Sequence, residues 1–417
     1  MSLSKALSPL WWTQFCGAFN DNLYKNALII IFTFQANSWG IKEGTWWVNV
    51  IAALFIFPFV LFSLMAGRVA DRLIKTRLIR FLKIIEVILM LLGSLAILQH
   101  SLWAILTVIF LLGVHSSFFG PVKYAILPEL VGEKALALAN GWVELGTFMA
   151  IILGTNLSAL LIPQGRMGTL ILILTVMLVA LLGLWSSFKI SPTLVKDNSV
   201  LIGLNPFAGL FTHFSIANQV KGLWAAIIGN SWFWFFGAIY LTQLPSYSKE
   251  VLHGSAYLVT LLWTLLALFV ALGSLISGRL LTTRAAPFLI TVALVGIGVL
   301  SLQLSYLEHW VSDYKIIDAL MGVVLLGFFA GIYIVPMYVW IQQRTPLHHR
   351  AAILGLTNMF NALFMIVASL LILLGLSHGF TISNMFAIVG GLNGLFLILL
   401  LVFARNLLWQ RKDRESQ

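Results

Sequence analysis

The stretch Gly67-Arg68-Val69-Ala70-Asp71-Arg72-Leu73-Ile74-Lys75-Thr76-Arg77 stands between two long apolar runs, 46–68 and 78–98. A helix needs roughly 20 apolar residues to cross the hydrocarbon core of a bilayer, and both runs are long enough. The stretch therefore reads as a short loop at one membrane face. Loops on the cytoplasmic side accumulate lysine and arginine, which accounts for Arg68, Arg72, Lys75 and Arg77. It does not account for Asp71, a carboxylate four residues after a glycine and directly before an arginine.

The rest of the chain extends this reading. Its 417 residues are 60% hydrophobic and only 9% charged, with a mean hydropathy of +0.99, whereas a soluble domain carries about 25% charge. The fold class is therefore all-α integral membrane. Twelve spans are predicted, at 10–35, 46–68, 78–98, 102–122, 138–162, 168–188, 222–246, 255–281, 286–306, 316–341, 352–375 and 383–404. The net charge of +11 lies mostly on every second connection and on the tail from Arg405 to Arg414, while Lys42, Arg166, Lys249 and Lys315 fall on the other side. That asymmetry predicts a multi-pass protein with both termini cytoplasmic, and it argues against nucleic acid as partner. The first run follows Lys5 as a signal peptide would, but Asp21 and Lys25 interrupt it and no small-residue cleavage site follows, so it reads as the first span. Cys16 is the single cysteine, so no internal disulfide and no cysteine-rich metal site is expected.

Two internal echoes divide the chain. Met65-Ala66-Gly67-Arg68 recurs as Ile276-Ser277-Gly278-Arg279, and Phe118-Phe119-Gly120-Pro121 with the later Asn140-Gly141 recurs as Gly331 to Pro336 with Leu354-Gly355. Both offsets are about half the chain, as expected for two repeats around a central site. The predicted organisation is an N-terminal six-helix bundle over 1–190, a cytoplasmic linker over 191–221 and a C-terminal six-helix bundle with a basic tail over 222–417. Phe207, Leu210, Phe211 and Phe214 in the linker have the spacing of a short amphipathic helix lying on the membrane surface.

Ionisable residues inside spans are costly, roughly 2.5 to 3.5 kcal/mol each on insertion scales, and by default mark a functional site. The first span carries Asn20, Asp21, Asn22, Lys25 and Asn26; Lys83, Glu86, Lys123 and Glu144 lie in later N-terminal spans, and the C-terminal spans hold essentially only Asp318 near an end. One wall polar and the other apolar suits a substrate with a charged head and a hydrocarbon tail. Asp21 and Lys25, four apart on one helical face, either pair with each other or contact substrate. Glu144 is either an inter-helix bridge, with Lys123 a candidate partner, or a contact for a bound ammonium. Lys123, after Gly120-Pro121 where proline interrupts the helical ladder, is either a snorkelling lysine or a phosphate contact. Lys83 and Glu86 read as a mutual pair. Trp232, Phe233, Trp234 and Phe236 suit packing or an acyl groove, and Trp46, Trp47, Trp103 and Trp185 sit near span ends, as an aromatic belt does.

The 67–77 stretch resembles the motif of the major facilitator superfamily, with Ile74 where that family usually has a second glycine and Thr76 in place of a basic residue. The resemblance implies a twelve-helix major facilitator fold of two pseudo-symmetric six-helix bundles. It also implies a gating role for Gly67, Asp71 and Arg72, the glycine allowing close packing and the acid capping a neighbouring helix. A narrower resemblance rests on Ala18-Phe19-Asn20-Asp21-Asn22, on Phe119 to Pro128 and on Ala139-Asn140-Gly141-Trp142-Val143-Glu144. These are similar to the bacterial lysophospholipid transporter family. Pro245 to Leu252 extends the likeness to forms fused to an acyltransferase and an acyl-carrier-protein synthetase, enzymes absent from this chain.

The expected function is movement of lysophospholipids such as lysophosphatidylethanolamine from the outer to the inner leaflet of a bacterial cytoplasmic membrane by alternating access, for reacylation. Asp21, Asn22, Lys25, Lys123 and Glu144 are the expected substrate contacts. Partners would be the lysophospholipid, membrane lipids and an acyltransferase or acyl-carrier-protein synthetase; no cofactor and no metal is expected. An exporter of amphipathic drugs and a non-transporting scaffold for a lipid enzyme are the alternatives. Catalysis is disfavoured: neither a Gly-x-Ser-x-Gly elbow nor a P-loop is present, and the adjacent His348 and His349 point to different faces.

Overall fold

A computed structural model describes residues 3–35, 44–193, 205–281, 286–309 and 314–403. Among them the long elements are all helices: α1 (Leu3–Phe34), α2 (Gly44–Arg72), α3 (Lys75–Leu98), α4 (Leu102–Ala125), α5 (Leu127–Leu161), α6 (Gly165–Phe188), α7 (Leu210–Gln219), α8 (Leu223–Glu250), α9 (Ala256–Leu280), α10 (Ala286–Tyr306), α11 (Lys315–Arg344), α12 (Arg350–Ser377) and α13 (Ile382–Phe403). The expected spans match every helix but α7 in order. Ten stretches among the described residues are long and apolar enough to cross a membrane, with α5 and α6 inside one of them. α1 is not among the ten, because the amides and charges from Asn20 to Asn26 dilute its apolar content.

Two local expectations are corrected. The fifth span, expected from 138, belongs to a helix that starts at Leu127 with Pro128 in its first turn and breaks at Gly132, whose φ of 70° and ψ of 171° are open to glycine and strained for other residues. The fourth span, expected to end at 122, continues past Pro121 to Ala125 as α4. A proline deletes one hydrogen bond, and packing on both sides holds the helix through it. Residues 194–204 of the linker, Lys42, and the basic tail from Arg405 lie outside the described residues.

The chain forms two compact units. The first comprises Met1–Ala139, Gly146–His213 and Thr345–Ala362; the second comprises Asn140–Leu145, Phe214–Arg344 and Leu363–Gln417. In the first, α1 packs on α2, α4 and α6, α2 on α4, and α3 on α4 and α6. Leu23, Tyr24, Leu28, Ile31 and Phe32 of α1 are buried among Met90, Ile109, Leu112, Leu172 and Val176. Tyr24 sends its hydroxyl to the Gly93 carbonyl at 3.1 Å, satisfying the one polar atom of that ring.

In the second unit, α11 packs on α8, α9 and α10, and α13 packs on α8 and α10. α9 and α11 touch backbone to backbone: a Cβ on Gly331 would overlap the Val270 carbonyl, and one on Gly273 would overlap that of Phe328. Small residues permit such an approach, the main source of association where burial from water no longer drives packing. Tyr240 donates to Ser301 at 2.6 Å and Tyr247 to the Leu304 carbonyl at 2.7 Å, and both rings pack on Phe386.

Candidate functional site

α1 distributes its polar residues around the helix, and each finds a different neighbour in the first unit. Asn20 points between α3 and α6, donating to the Val176 carbonyl at 3.1 Å and to Glu86 at 3.4 Å. Asn22 donates to Ala18 one turn back at 2.8 Å, and Asn26 donates to the Asn22 carbonyl at 2.8 Å and to Thr155 of α5 at 2.9 Å. Asp21 turns to α4, where Ser116 donates to its Oδ2 at 2.5 Å. Its Oδ1 is buried with no hydrogen-bond partner among the described residues.

Lys25 turns instead to α2, its ammonium 4.8 Å from the centroid of the Phe55 ring. The pairing of Asp21 with Lys25 offered by their spacing is not formed: among the described residues neither belongs to an ion pair. Each side chain is claimed by a different helix. The result is a carboxylate and an ammonium one turn apart, each without an opposite charge in contact among the described residues.

The second buried charge cluster is larger than the sequence suggested. Lys83 and Glu86 of α3 do pair, at 2.5 Å, with both side chains essentially inaccessible. Lys83 also donates to the Thr13 carbonyl at 3.1 Å, Glu86 accepts from Asn20, and His115 of α4 lies 3.8 Å from Glu86 while contacting the Leu82 carbonyl at 3.1 Å. The pair thus ties α3 to α1 and α4. Gly17 and Gly183 make the room for it; a Cβ at Gly183 would sit 2.8 Å from the Lys83 ammonium. Sequence reading missed His115 and Thr13. The small residues on α1 and α6 were the available signal, legible only once the helices are paired.

Lys123, half-buried near the end of α4, reaches Thr147 of α5 at 3.5 Å and lies 4.8 Å from the Tyr124 ring centroid. Thr147 donates to Gln14 of α1 at 3.1 Å, so Lys123, Thr147 and Gln14 form a polar chain in the first unit. Glu144 is buried on α5 at 1% exposure. Near it in sequence, Asn140 exchanges both amide hydrogen bonds with Gln342 of α11, at 2.7 and 3.2 Å, within the second unit. Nothing about the spacing of Gln342 announced this. A Cβ on Gly141 would lie 2.6 Å from the Ser274 carbonyl of α9.

The 67–77 stretch is anchored on the start of α12 in the first unit. Asp71 accepts from the backbone N–H of Ala351 at 3.0 Å on one oxygen and from that of Ala352 at 2.8 Å on the other. The first N–H groups of a helix have no partner within it, and the positive end of the helix dipole favours an anion there. Gly67 is the complementary device: a Cβ would overlap the Ala351 carbonyl and lie 2.6 Å from the Ala352 Cα. Gly355, one turn on, meets the Ser63 carbonyl the same way. Nearby, Lys75 pairs with Glu129 at the start of α5, and Arg68 donates to the Asn205 carbonyl of the linker at 2.8 Å.

The linker helix α7 forms where phenylalanine spacing predicted it, with Phe211 fully exposed and His213 buried. His213 donates from Nδ1 to the Gly209 carbonyl at 2.6 Å and packs edge-on against His349, ring centroids 5.6 Å apart. Burial holds its pKa below the ordinary imidazole value, and His349 and Arg68 push it further down. In the second unit the aromatic run of α8 is packing rather than groove: Trp232 donates to Asn393 at 3.0 Å and stacks between Phe235 and Phe396, and Phe233 and Phe236 are buried. Among the described residues no group of three or more His, Cys, Asp or Glu side chains is placed to hold a metal ion.

Comparison with known proteins agrees with this architecture. The lysophospholipid transporter LplT of Photorhabdus laumondii subsp. laumondii is 24% identical over 350 residues, covering 82% of this chain and 81% of its own. LplT of Escherichia coli O1:K1 is 23% identical over 351 residues with the same coverage, and LplT of Klebsiella pneumoniae is 24% identical over 353 residues, again with the same coverage. Among solved structures the human organic anion transporter MFSD10 (TETRAN) superposes with a TM-score of 0.78 at 14% identity, covering 96% of this chain and 100% of that one, a likeness of fold alone. The family model of the Major Facilitator Superfamily matches residues 10–369. This chain, with its helical units and its carboxylate-capped α12, belongs to the major facilitator superfamily and is a membrane transporter rather than an enzyme.

Proposed function

We propose that the transporter moves single-chain phospholipids, lysophosphatidylethanolamine among them, from the outer to the inner leaflet of a bacterial cytoplasmic membrane, where they are reacylated. The observation that carries this reading is the unpaired state of Asp21 and Lys25. Among the described residues, a buried carboxylate with a partnerless oxygen and an ammonium against a ring face ask for a ligand bearing both charges. A phospholipid head with a phosphate and an ammonium supplies them, because phosphate wants a cation and ammonium a carboxylate. Asn22, Lys123 and Glu144 complete the proposed contact set. The curated relatives named lysophospholipid transporter support the substrate class.

The proposed cycle is alternating access, with 1–190 and 222–417 as the moving bodies, 191–221 as their cytoplasmic linker and both termini cytoplasmic. Gly67, Asp71 and Arg72 serve as the gate: the cap on α12 is made in one state and broken in the other, so any ligand preference between states shifts the balance. The acyl chain lies against apolar residues, since α8 to α13 carry their charges near helix ends. An acyltransferase or acyl-carrier-protein synthetase is the proposed consumer of the product. Purified protein in liposomes tests the reading: fluorescent lysophosphatidylethanolamine in the outer leaflet should become inaccessible to a membrane-impermeant quencher faster than in protein-free liposomes. Equal rates would overturn it.

A further inference from the structure

A groove of about 550 Å³ runs along one face of the first unit between α1, α5 and α6. Phe15 and Phe19 of α1, Leu153 of α5, and Val179 and Leu182 of α6 make its walls, and Ser8 and Lys189 mark one end. Along α1 the lining runs from Ser8 to Phe19, eleven helical rises or about 16 Å. Half of a hydrocarbon core of roughly 30 Å is about the same length, so the groove is as long as one acyl chain in one leaflet.

The polar end is built for an anion. Lys189 is exposed, has no ion pair among the described residues, and stands with its ammonium 3.2 Å from the centroid of the Trp185 ring. The C-terminus of a helix normally repels negative charge. At α6 that repulsion is reduced, because the Arg80 guanidinium sits on the carbonyls of Ser187, Phe188 and Ile190 at 3.4 to 3.5 Å. Ser186 donates to the Pro9 carbonyl at 2.9 Å and locks α6 to α1 at this end. No aspartate or glutamate occurs in 1–20, 145–161 or 165–193, so none of the three walls carries a carboxylate.

We propose that this groove is a lipid site separate from the transport site: it holds one acyl chain of an anionic membrane phospholipid whose phosphate meets Lys189 and the Ser8 hydroxyl. Trp12 and Trp185, both at least half exposed, flank the head-group end as interfacial indoles do. The proposal does not depend on the substrate assigned above.

Native mass spectrometry of the protein released from nanodiscs holding equal phosphatidylglycerol and phosphatidylcholine tests it. Wild type should retain phosphatidylglycerol in preference. A lysine beside anionic lipid contributes enough that Lys189→Gln should lower this retention about fivefold, while Lys221→Gln, outside the groove, should leave it unchanged. Val179→Trp, which fills the groove, should remove retention of both lipids. Equal retention of the two lipids by wild type, or retention of phosphatidylglycerol unchanged in Lys189→Gln, overturns the proposal; both readouts stand even if the tryptophan variant fails to fold.

Discussion

The carboxylate of Asp21 is bonded to the Ser116 hydroxyl at 2.5 Å, not to the lysine one turn along its own helix. That bond holds one oxygen toward α4 and leaves the other buried and unpartnered among the described residues. Asp21→Asn retains an acceptor for Ser116 and a near-identical shape, so the protein should express and fold. A charge-assisted contact to a substrate ammonium is worth about 1.5 to 3 kcal/mol, so lysolipid movement in proteoliposomes should fall roughly tenfold or more. Transport equal to wild type would make Asp21 a structural residue only.

Asp71 satisfies two backbone donors at the start of α12. In Asp71→Ala both are left without that acceptor, a loss of about 1 kcal/mol for a helix cap and more where the site is buried. In a Cys16→Ser background, a cysteine placed at buried Leu356 should react faster with a thiol reagent when Asp71 is alanine, and Asp71→Asn should fall between. Unchanged labelling would count against the gate. Gly67→Val should fail differently, since its side chain would collide with the Ala351 backbone and separate α2 from α12.

Lys83 and Glu86 are both buried, and each is the other's counter-charge. Removing one partner strands the other, typically at a cost of about 3 to 5 kcal/mol, whereas replacing both with apolar residues is often near neutral. Lys83→Met and Glu86→Leu should each lower the unfolding temperature in detergent clearly, and the double variant should recover most of the loss. Additive losses would show that Asn20, Thr13 and His115, rather than the pair, dominate the network.

A single acyl chain is the expected limit of the substrate. Lysophosphatidylethanolamine should compete for transport of labelled lysolipid, and free fatty acid, lacking a phosphate for Lys25 or Lys123, should compete poorly. Diacyl phospholipid competing as well as lysolipid at the same membrane fraction would contradict the model.

His213 is buried with His349 and Arg68 beside it, and burial holds its pKa below the ordinary imidazole value. A pKa lower in the folded state means the unfolded or undocked state binds more protons below the ordinary histidine value of about 6.5. Docking of the linker helix should therefore be fully stable above that pH and weaken as pH falls toward the lowered value. Protection of 205–219 from hydrogen exchange, relative to the intrinsic rate at each pH, should fall on acidification in wild type and change much less in His213→Phe.

The order of the long helices, the linker helix and the polar interruption of α1 were legible in the sequence. The reason is local: insertion into hydrocarbon is decided over about 20 consecutive residues, and each charge bears its cost wherever it sits. Echoes about half the chain apart, Gly67 with Gly278 and Gly141 with Gly355, were visible there too. Which repeats touch was not. The structure brings Gly67 and Gly355 together on α2 and α12, and Gly141 against Ser274 on α9. Likewise spacing offered Lys25 as the partner of Asp21, while helix packing delivered Ser116, 95 residues away. Side chains one turn apart share a face whatever the fold, but which of them pairs depends on what the neighbouring helix presents. Asp71 meeting Ala351, Asn140 meeting Gln342 and Glu86 meeting His115 were decided by the tertiary structure for that reason.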